Sequence, residues 1–515
     1  MVTSISPRVL VVTPEVTYLP DNMGNMANYL SAKAGGLADV SAALIKALFE
    51  HGADVHVALP DYRAMFNAQR KPVLGTALDL IQDTVPDDRI HLAEDRAFFY
   101  MDHVYSNYAA ENTRIALAFQ REVINNIIPR VRPDLIHCND WMTGLIPAMA
   151  RRLGIPCLFT VHNIHTTKLL LAEIEDRGID AASFWQHLYY VHMAHNYETT
   201  RDINPVDLLA SGIFAAHFVN TVSPTFLHEI VNGQHDFVSR PIRSELSNKF
   251  HAQCATGILN APDPTFAPQS DPVLDVNYGP EEHAAAKQTN KLALQTEVGL
   301  IRDAGAPLLF WPHRLDSIQK GCQLLAQTLY RIVHTYWEEN LEIIFVADGE
   351  FKPHFTDIVH FHGFSQRVAI CDFNEDLARR AYAAADFVLM PSRFEPCGLP
   401  QMIGPLYGAL PVAHNTGGIH DTVVPMNVAA KRGNGFLFDI WDGQGLFWAI
   451  EQALTFYRLP EDIKTPQIAR VMRDAAETFN HAVTARHYMD LYEKMLQHPL
   501  IPRQAECLFD GSELC

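Results

Sequence analysis

Short runs of β-branched and other apolar residues recur along the chain, each followed by a longer stretch with helical spacing. In the first half they fall at 9–12, 55–59, 135–138, 158–161 and 218–222. In the second half they fall at 308–311, 343–346, 358–361, 368–371 and 387–390, with another at 410–413. Runs this short and mostly apolar suit strands buried on both faces, and their alternation with helices predicts a parallel sheet covered on both sides. The pattern occurs twice, so we expect an α/β protein of two doubly wound, Rossmann-like domains. Ligands of such sheets bind beyond the carboxyl ends of the strands, although fold alone does not name a reaction.

Proline and turn residues crowd 257–279 (Asn260, Pro262, Asp263, Pro264, Pro268, Asp271, Pro272), which reads as an interdomain linker. The expected organisation is an N-terminal domain over 1–265, a C-terminal domain over 280–481, and a segment 482–515. That last segment opens with an amphipathic helix, expected over 482–497, that crosses back to the first domain.

Length changes this picture little, since 515 residues already exceed one ordinary domain. Charge changes it more. Forty basic residues against 59 acidic give a net charge of −19, which argues against nucleic acid or an anionic membrane as the main partner. A neutral polysaccharide would be indifferent to that sign. No apolar run reaches the roughly 18 residues of a membrane span, and residues 1–8 lead into no signal-peptide core. The eight cysteines are scattered without a C-x-x-C pair, so we expect reduced thiols and a cytoplasmic protein.

Three glycine-bearing stretches carry candidate chemistry. Lys33-Ala34-Gly35-Gly36-Leu37-Ala38-Asp39-Val40 precedes an apolar helical stretch at 42–48. Its glycines let the backbone approach a ligand, the helix start offers N–H groups, and the lysine adds a full charge, a combination suited to a diphosphate. Equally, a bare Lys-x-Gly-Gly can be an ordinary loop entering a helix. The second block, Pro391-Ser392-Arg393-Phe394-Glu395-Pro396-Cys397-Gly398-Leu399, directly follows the run at 387–390. A carboxylate at a strand mouth can accept hydrogen bonds from vicinal ribose hydroxyls. Asn415-Thr416-Gly417-Gly418 repeats the glycine turn after the next strand.

These motifs together strongly resemble the bacterial glycogen synthase and plant starch synthase family. Further matches lie in order between them: His137-Cys138-Asn139-Asp140-Trp141, Phe159-Thr160-Val161-His162-Asn163, Thr221-Val222-Ser223-Pro224 and Gly257-Ile258-Leu259-Asn260. The resemblance runs from about Arg8 to Leu496. It implies a GT-B fold, two Rossmann-like domains facing a deep cleft, and a retaining glucosyltransferase. Such an enzyme moves glucose from ADP-glucose or UDP-glucose to the non-reducing end of an α-1,4-glucan, with no cofactor and no metal. The partners implied are a nucleotide-sugar donor and an α-glucan acceptor.

Residue by residue, the resemblance implies that Lys33, Gly35 and Gly36 meet the donor's diphosphate. It sets His162 beside the transferred glucose and Asp140 near the acceptor, while Arg314 and Lys320 neutralise the leaving diphosphate. Glu395 lies by the donor, Cys397, Gly398 and Leu399 contact glucose, Thr416 and Gly417 contact phosphate, and Asn260 lies among the substrate-binding residues. Phe373 matches a position where an aromatic ring can pack on the base. Other readings stand beside these: Asp140 as a helix N-cap, His162 as a core histidine, Cys397 as a small packing residue.

The chain also departs from the family's pattern. Residues 18–32 replace a short turn before Lys33. Ile164-His165-Thr166-Thr167-Lys168 stands where Tyr-Gln-Gly is usual, and Ala261-Pro262-Asp263 where Gly-Ile-Asp is usual. Arg314 and Lys320 are six apart rather than five. The donor side is matched better than the acceptor side, so a related transferase with a small sugar or sugar-phosphate acceptor, or a non-catalytic glucan-binding relative, is the alternative.

Overall fold

The computed structural model describes residues 6–70, 88–106 and 108–501. The chain divides into two compact units. One takes Met1–Asn220, Val238–Ala255 and Ala485–Cys515; the other takes Thr221–Phe237 and Thr256–Thr484.

Over residues 8–257 the strands are β1 (Arg8–Val12), β2 (Asp54–Pro60), β3 (Ile90–Ala93), β4 (Leu135–Asn139), β5 (Cys157–Val161), β6 (Lys168–Leu169), β7 (Val206–Asp207), β8 (Phe218–Thr221) and β9 (Ala255–Gly257). Seven of them form one sheet in the order β3-β2-β1-β4-β5-β8-β9, while β6 and β7 make a small antiparallel pair. The pairs from β3 through β5 are parallel. Strand β1 is central because Val9, Leu10, Val11 and Val12 are all fully buried, with a neighbour on each edge. The helix Gly36–Glu50 follows β1 and buries ten of its residues, Leu37, Ile45 and Leu48 among them.

The second unit holds β10 (Leu308–Trp311), β11 (Glu342–Val346), β12 (Val368–Cys371), β13 (Phe387–Met390), β14 (Leu410–His414) and β15 (Phe436–Phe438), in the order β12-β11-β10-β13-β14-β15. Every pair in this sheet is parallel. One apolar cluster around Trp311, Phe345 and Phe355 and another around Phe310, Tyr382 and Tyr407 cover its faces. Both sheets are therefore of the doubly wound kind that the hydrophobic pattern predicts.

One expected strand is a helix. Residues 358–361 belong to the helix Lys352–His362, which has a proline in its first turn and ends on Gly363 in the left-handed region at φ 68°. Its buried residues are Phe355 and Val359, four apart, and Phe361 is 83% exposed. The short apolar run was one stripe of a helix plus an exposed ring.

The C-terminal helix runs His481–Leu496. Its fully buried Tyr488 and Tyr492 lie in the first unit. There the Tyr492 hydroxyl is 2.7 Å from His137 Nδ1, and the Tyr488 ring lies 5.4 Å from the His137 ring. No helix of the described residues is long and apolar enough to cross a membrane.

Candidate active site

In the first unit the candidate residues gather at the carboxyl ends of three adjacent strands. Glu15 follows β1, Asp140 follows β4, and His162 follows β5. Glu15 is 2% exposed. Its Oε2 accepts the Ala34 N–H at 2.7 Å and the Gly35 N–H at 3.0 Å, and Oε1 accepts the Tyr105 hydroxyl at 3.1 Å. A buried carboxylate thus ties down the turn that carries Lys33, Gly35 and Gly36. Burial pushes its pKa up, against those hydrogen bonds and helped by the charge of Asp39.

Lys33 reaches Asp39 at 3.0 Å and stays 44% exposed. Gly35 caps the helix Gly36–Glu50 in an extended conformation, and a Cβ built there meets nothing within 4 Å. The fold itself has no steric need for glycine at 35, so its missing Cβ matters only to something approaching from outside. The long segment before Lys33 folds as a loop closed by reciprocal Val16–Ala32 hydrogen bonds of 3.0 and 2.8 Å, and it buries Leu19, Met23, Ala27 and Leu30.

Asp140 is 4% exposed and has φ 56° and ψ −179°, a conformation costly for any residue but glycine. Its Oδ1 accepts the His162 N–H at 2.7 Å, and Oδ2 accepts the Asn163 side-chain amide at 2.9 Å. No capping bond forms, so the side chain serves the end of β5 rather than the turn that follows it. Burial pushes the Asp140 carboxyl up to about 7, opposed by the backbone N–H groups and reinforced by Glu15. His162 is half-buried, and desolvation pulls its pKa down to about 3. Asn139 donates its amide to Val12 O, so its oxygen accepts His162 Nε2–H at 3.0 Å. That tautomer leaves Nδ1 as an acceptor.

In the second unit Lys320 and Glu395 pair at 2.6 Å, and the Ser392 hydroxyl donates to the same Glu395 oxygen at 3.2 Å. Cys397 is buried against Val222, Met402 and Leu399. Its Sγ accepts the Asn260 N–H at 3.4 Å, and burial pushes the thiol up to about 12, which fits a packing role. Gly398 sits at φ 74° beside Gln401. The Thr416-Gly417-Gly418 turn packs directly behind the Glu395–Cys397 turn. A Cβ on Gly417 would lie 2.0 Å from Glu395 O, and one on Gly418 would lie 2.1 Å from Cys397 O. The Gly417 N–H donates to Glu229 at 2.9 Å, and the Gly418 N–H to Glu395 O at 2.9 Å.

Lys320, Glu395, Cys397, Asn260, Thr416 and Gly417 thus form one connected group. Phe373 and Arg314 make no hydrogen bond or ion pair with them among the described residues. Phe373 is 59% exposed after β12, where its N–H donates to Asp348 at 3.3 Å. Arg314 is exposed after β10.

Sequence reasoning missed Glu15, Glu229 and His313. The buried atoms Asn260 Oδ1, His313 Nε2 and Gln401 Oε1 have no hydrogen-bond partner among the described residues. Burial, then Lys320 and Arg314, pull the His313 pKa well down. Buried polar atoms without a protein partner are open to a water or to a ligand hydroxyl. No residue spacing announces them; Glu15 alone had a signal, a carboxylate directly after a buried strand.

Residues 8–240 match the family described as Starch synthase catalytic domain, and 306–455 match Glycosyl transferases group 1. A glycogen synthase of Syntrophotalea carbinolica is 32% identical over 90% of this chain and 96% of its own length. One of Geobacillus stearothermophilus is 30% identical, over 91% and 97%. Among solved structures, the catalytic domain of starch synthase IV from Arabidopsis thaliana, bound to ADP and acarbose, superimposes with a TM-score of 0.76 at 24% identity. It covers 96% of this chain and all of its own. A sucrose-phosphate synthase from Thermosynechococcus elongatus reaches 0.55 at 16% identity, covering 95% and 99%. The folds agree as GT-B, and the sequence match extends over nearly the whole length, so the chain belongs to the bacterial glycogen synthase and plant starch synthase family.

Proposed function

We propose that this chain is a glucosyltransferase that moves glucose from a nucleotide-sugar to the non-reducing end of an α-1,4-glucan with retention of configuration. The observation that carries the reading is the connected group around Lys320 and Glu395. It joins a cation, a carboxylate, a buried thiol and two glycine turns at the carboxyl ends of β13 and β14, where an open parallel sheet binds ligands. Departure of a nucleoside diphosphate develops negative charge, which Lys33, Arg314 and Lys320 stabilise more in the transition state than in the ground state. The glucosyl centre becomes oxocarbenium-like, and the acceptor enters on the face the diphosphate leaves, its proton passing to the leaving oxygen. Asp140 and the neutral His162 offer acceptor atoms to sugar hydroxyls.

A second reading, a small sugar or sugar-phosphate acceptor, comes from residues 164–168, which stand where Tyr-Gln-Gly is usual in the family. Residues 164–168 are built into a local framework: the His165 ring lies 5.3 Å from Trp141, Thr166 donates to Asp207 at 2.6 Å, and Lys168 pairs with Asp207 across β6 and β7. Release of ADP or UDP from the two donors, with glycogen, maltooligosaccharide or fructose 6-phosphate as acceptor, separates the two. Release that depends on glucan supports the first reading, release with fructose 6-phosphate alone the second, and release with none of them refutes both.

A further inference from the structure

Both turns of the second unit's connected group lean on one segment, residues 223–237. Ser223 caps the helix Pro224–Val231 by accepting the Phe226 N–H at 2.9 Å. The same Ser223 hydroxyl donates to Asp421, on the helix Gly417–Thr422. The Thr225 hydroxyl at 2.6 Å and its N–H at 3.2 Å donate to Asp421 as well. One helical turn further on, Glu229 accepts the Gly417 N–H at 2.9 Å and the Thr416 hydroxyl at 3.1 Å. The helix Gly417–Thr422 is therefore fastened at both ends to the helix Pro224–Val231. Thr416, its own N-cap, makes no capping bond.

Glu229 is braced in turn. His235 Nε2 lies 2.9 Å from its Oε2, and the His235 ring is set among Phe226, Phe237 and Phe394, with centroids 5.5, 4.9 and 6.1 Å away. Phe237 stacks on Phe394 at 3.9 Å, next to Glu395. Glu229 is 9% exposed and His235 8%. The carboxylate's bonds to His235, Gly417 and Thr416 outweigh its burial and hold its pKa below the usual range. Thr416 could have capped its own helix. Using a residue 188 positions away instead fixes where that helix sits, not only whether it forms.

We propose that Glu229, braced by His235, is a positioning residue for the nucleotide-sugar: by holding the Thr416 hydroxyl and the Gly417 N–H it fixes that turn behind the Glu395–Cys397 turn, so that the Glu395–Cys397 turn meets the donor. It touches no reacting atom itself. The assignment rests on the reading of the Glu395–Cys397 turn as donor-binding.

The test uses the full chain and measures KM and kcat for ADP-glucose and UDP-glucose, KM for the glucan, calorimetric affinity for ADP and UDP, and thermal melting. Glu229→Ala raises KM for the donor about tenfold or more, the scale of one lost bond to a charged group, and leaves KM for the glucan unchanged. Glu229→Gln keeps an acceptor for the Gly417 N–H and recovers most of that loss. His235→Ala gives a smaller rise of about threefold. If Glu229→Ala does not fold, His235→Ala decides, because a raised donor KM supports the assignment and an unchanged one overturns it. A lower melting temperature with donor KM within about twofold of wild type, or donor and glucan KM rising together, also overturns it. Wild-type protein that neither binds nor turns over either nucleotide refutes the functional reading itself, and the positioning role falls with it.

Discussion

Lys320 Nζ lies 2.6 Å from Glu395 Oε2, and the two side chains are 12% and 6% exposed. A pair this enclosed is costly to bury and costlier still to break, since removing one partner strands the other charge. Glu395→Gln and Lys320→Met should each destabilise the protein by about 3–5 kcal/mol, and the double variant by clearly less than their sum. Chemical denaturation of the four proteins measures this. Where Glu395→Gln remains folded, turnover should fall more than the donor's KM rises, because Glu395 adjoins the residues proposed against glucose.

Lys33 is the opposite case. Its ion pair with Asp39 is 44% exposed on the lysine side, so Lys33→Ala should cost no more than about 1 kcal/mol of stability. Transition-state stabilisation should fall by roughly 2.7–4 kcal/mol, about a hundredfold or more in turnover. Steady-state kinetics beside a melting curve check both halves. Retention of most of the turnover would remove Lys33 from the proposed diphosphate site.

The two glycine turns should answer differently to alanine. At Gly35 a Cβ meets nothing within 4 Å and the backbone is extended, so Gly35→Ala should change stability by less than about 1 kcal/mol. Its effect should appear in the donor's KM. Gly417 has φ 45° and would drive a Cβ to 2.0 Å from Glu395 O, so Gly417→Ala should destabilise by about 2 kcal/mol or more.

Asp140 carries a pH signature. Its folded pKa is raised to about 7 from an ordinary value of 3.8, so the folded state holds a proton that the unfolded chain releases. That contribution is full below pH 3.8 and is lost as pH rises toward 7. Asp140→Asn has no carboxylate to desolvate and should be more stable than wild type at neutral pH, by roughly 1–3 kcal/mol, with the difference shrinking toward pH 4. Melting from pH 4 to 8 tests it, and equal pH dependence of the two proteins would contradict it. Activity should fall in the same variant.

Much of the fold was legible because buried parallel strands announce themselves. The runs at 308–311, 368–371 and 387–390 coincide with β10, β12 and β13. Strands β3 and β15 were missed, since Ile90-His91-Leu92-Ala93 and Phe436-Leu437-Phe438 are short and lie at sheet edges. The run at 358–361 misled because four apolar or aromatic neighbours do not distinguish a strand from one stripe of a helix. The candidate residues were legible as motifs, but what holds them was not. Glu15 stands 20 residues from the Gly35 N–H it accepts, and Glu229 stands 188 from Gly417. Contacts across such separations are made by the topology, and one sequence carries no local trace of them.

The most direct measurement of the central claim follows a maltooligosaccharide of defined length incubated with ADP-glucose or UDP-glucose, reading product length, linkage and released nucleotide together. The expected product is a chain extended by single glucose units in α-1,4 linkage at the non-reducing end, with one nucleoside diphosphate released for each unit added. Nucleotide release without chain extension, or extension in β linkage, would contradict it.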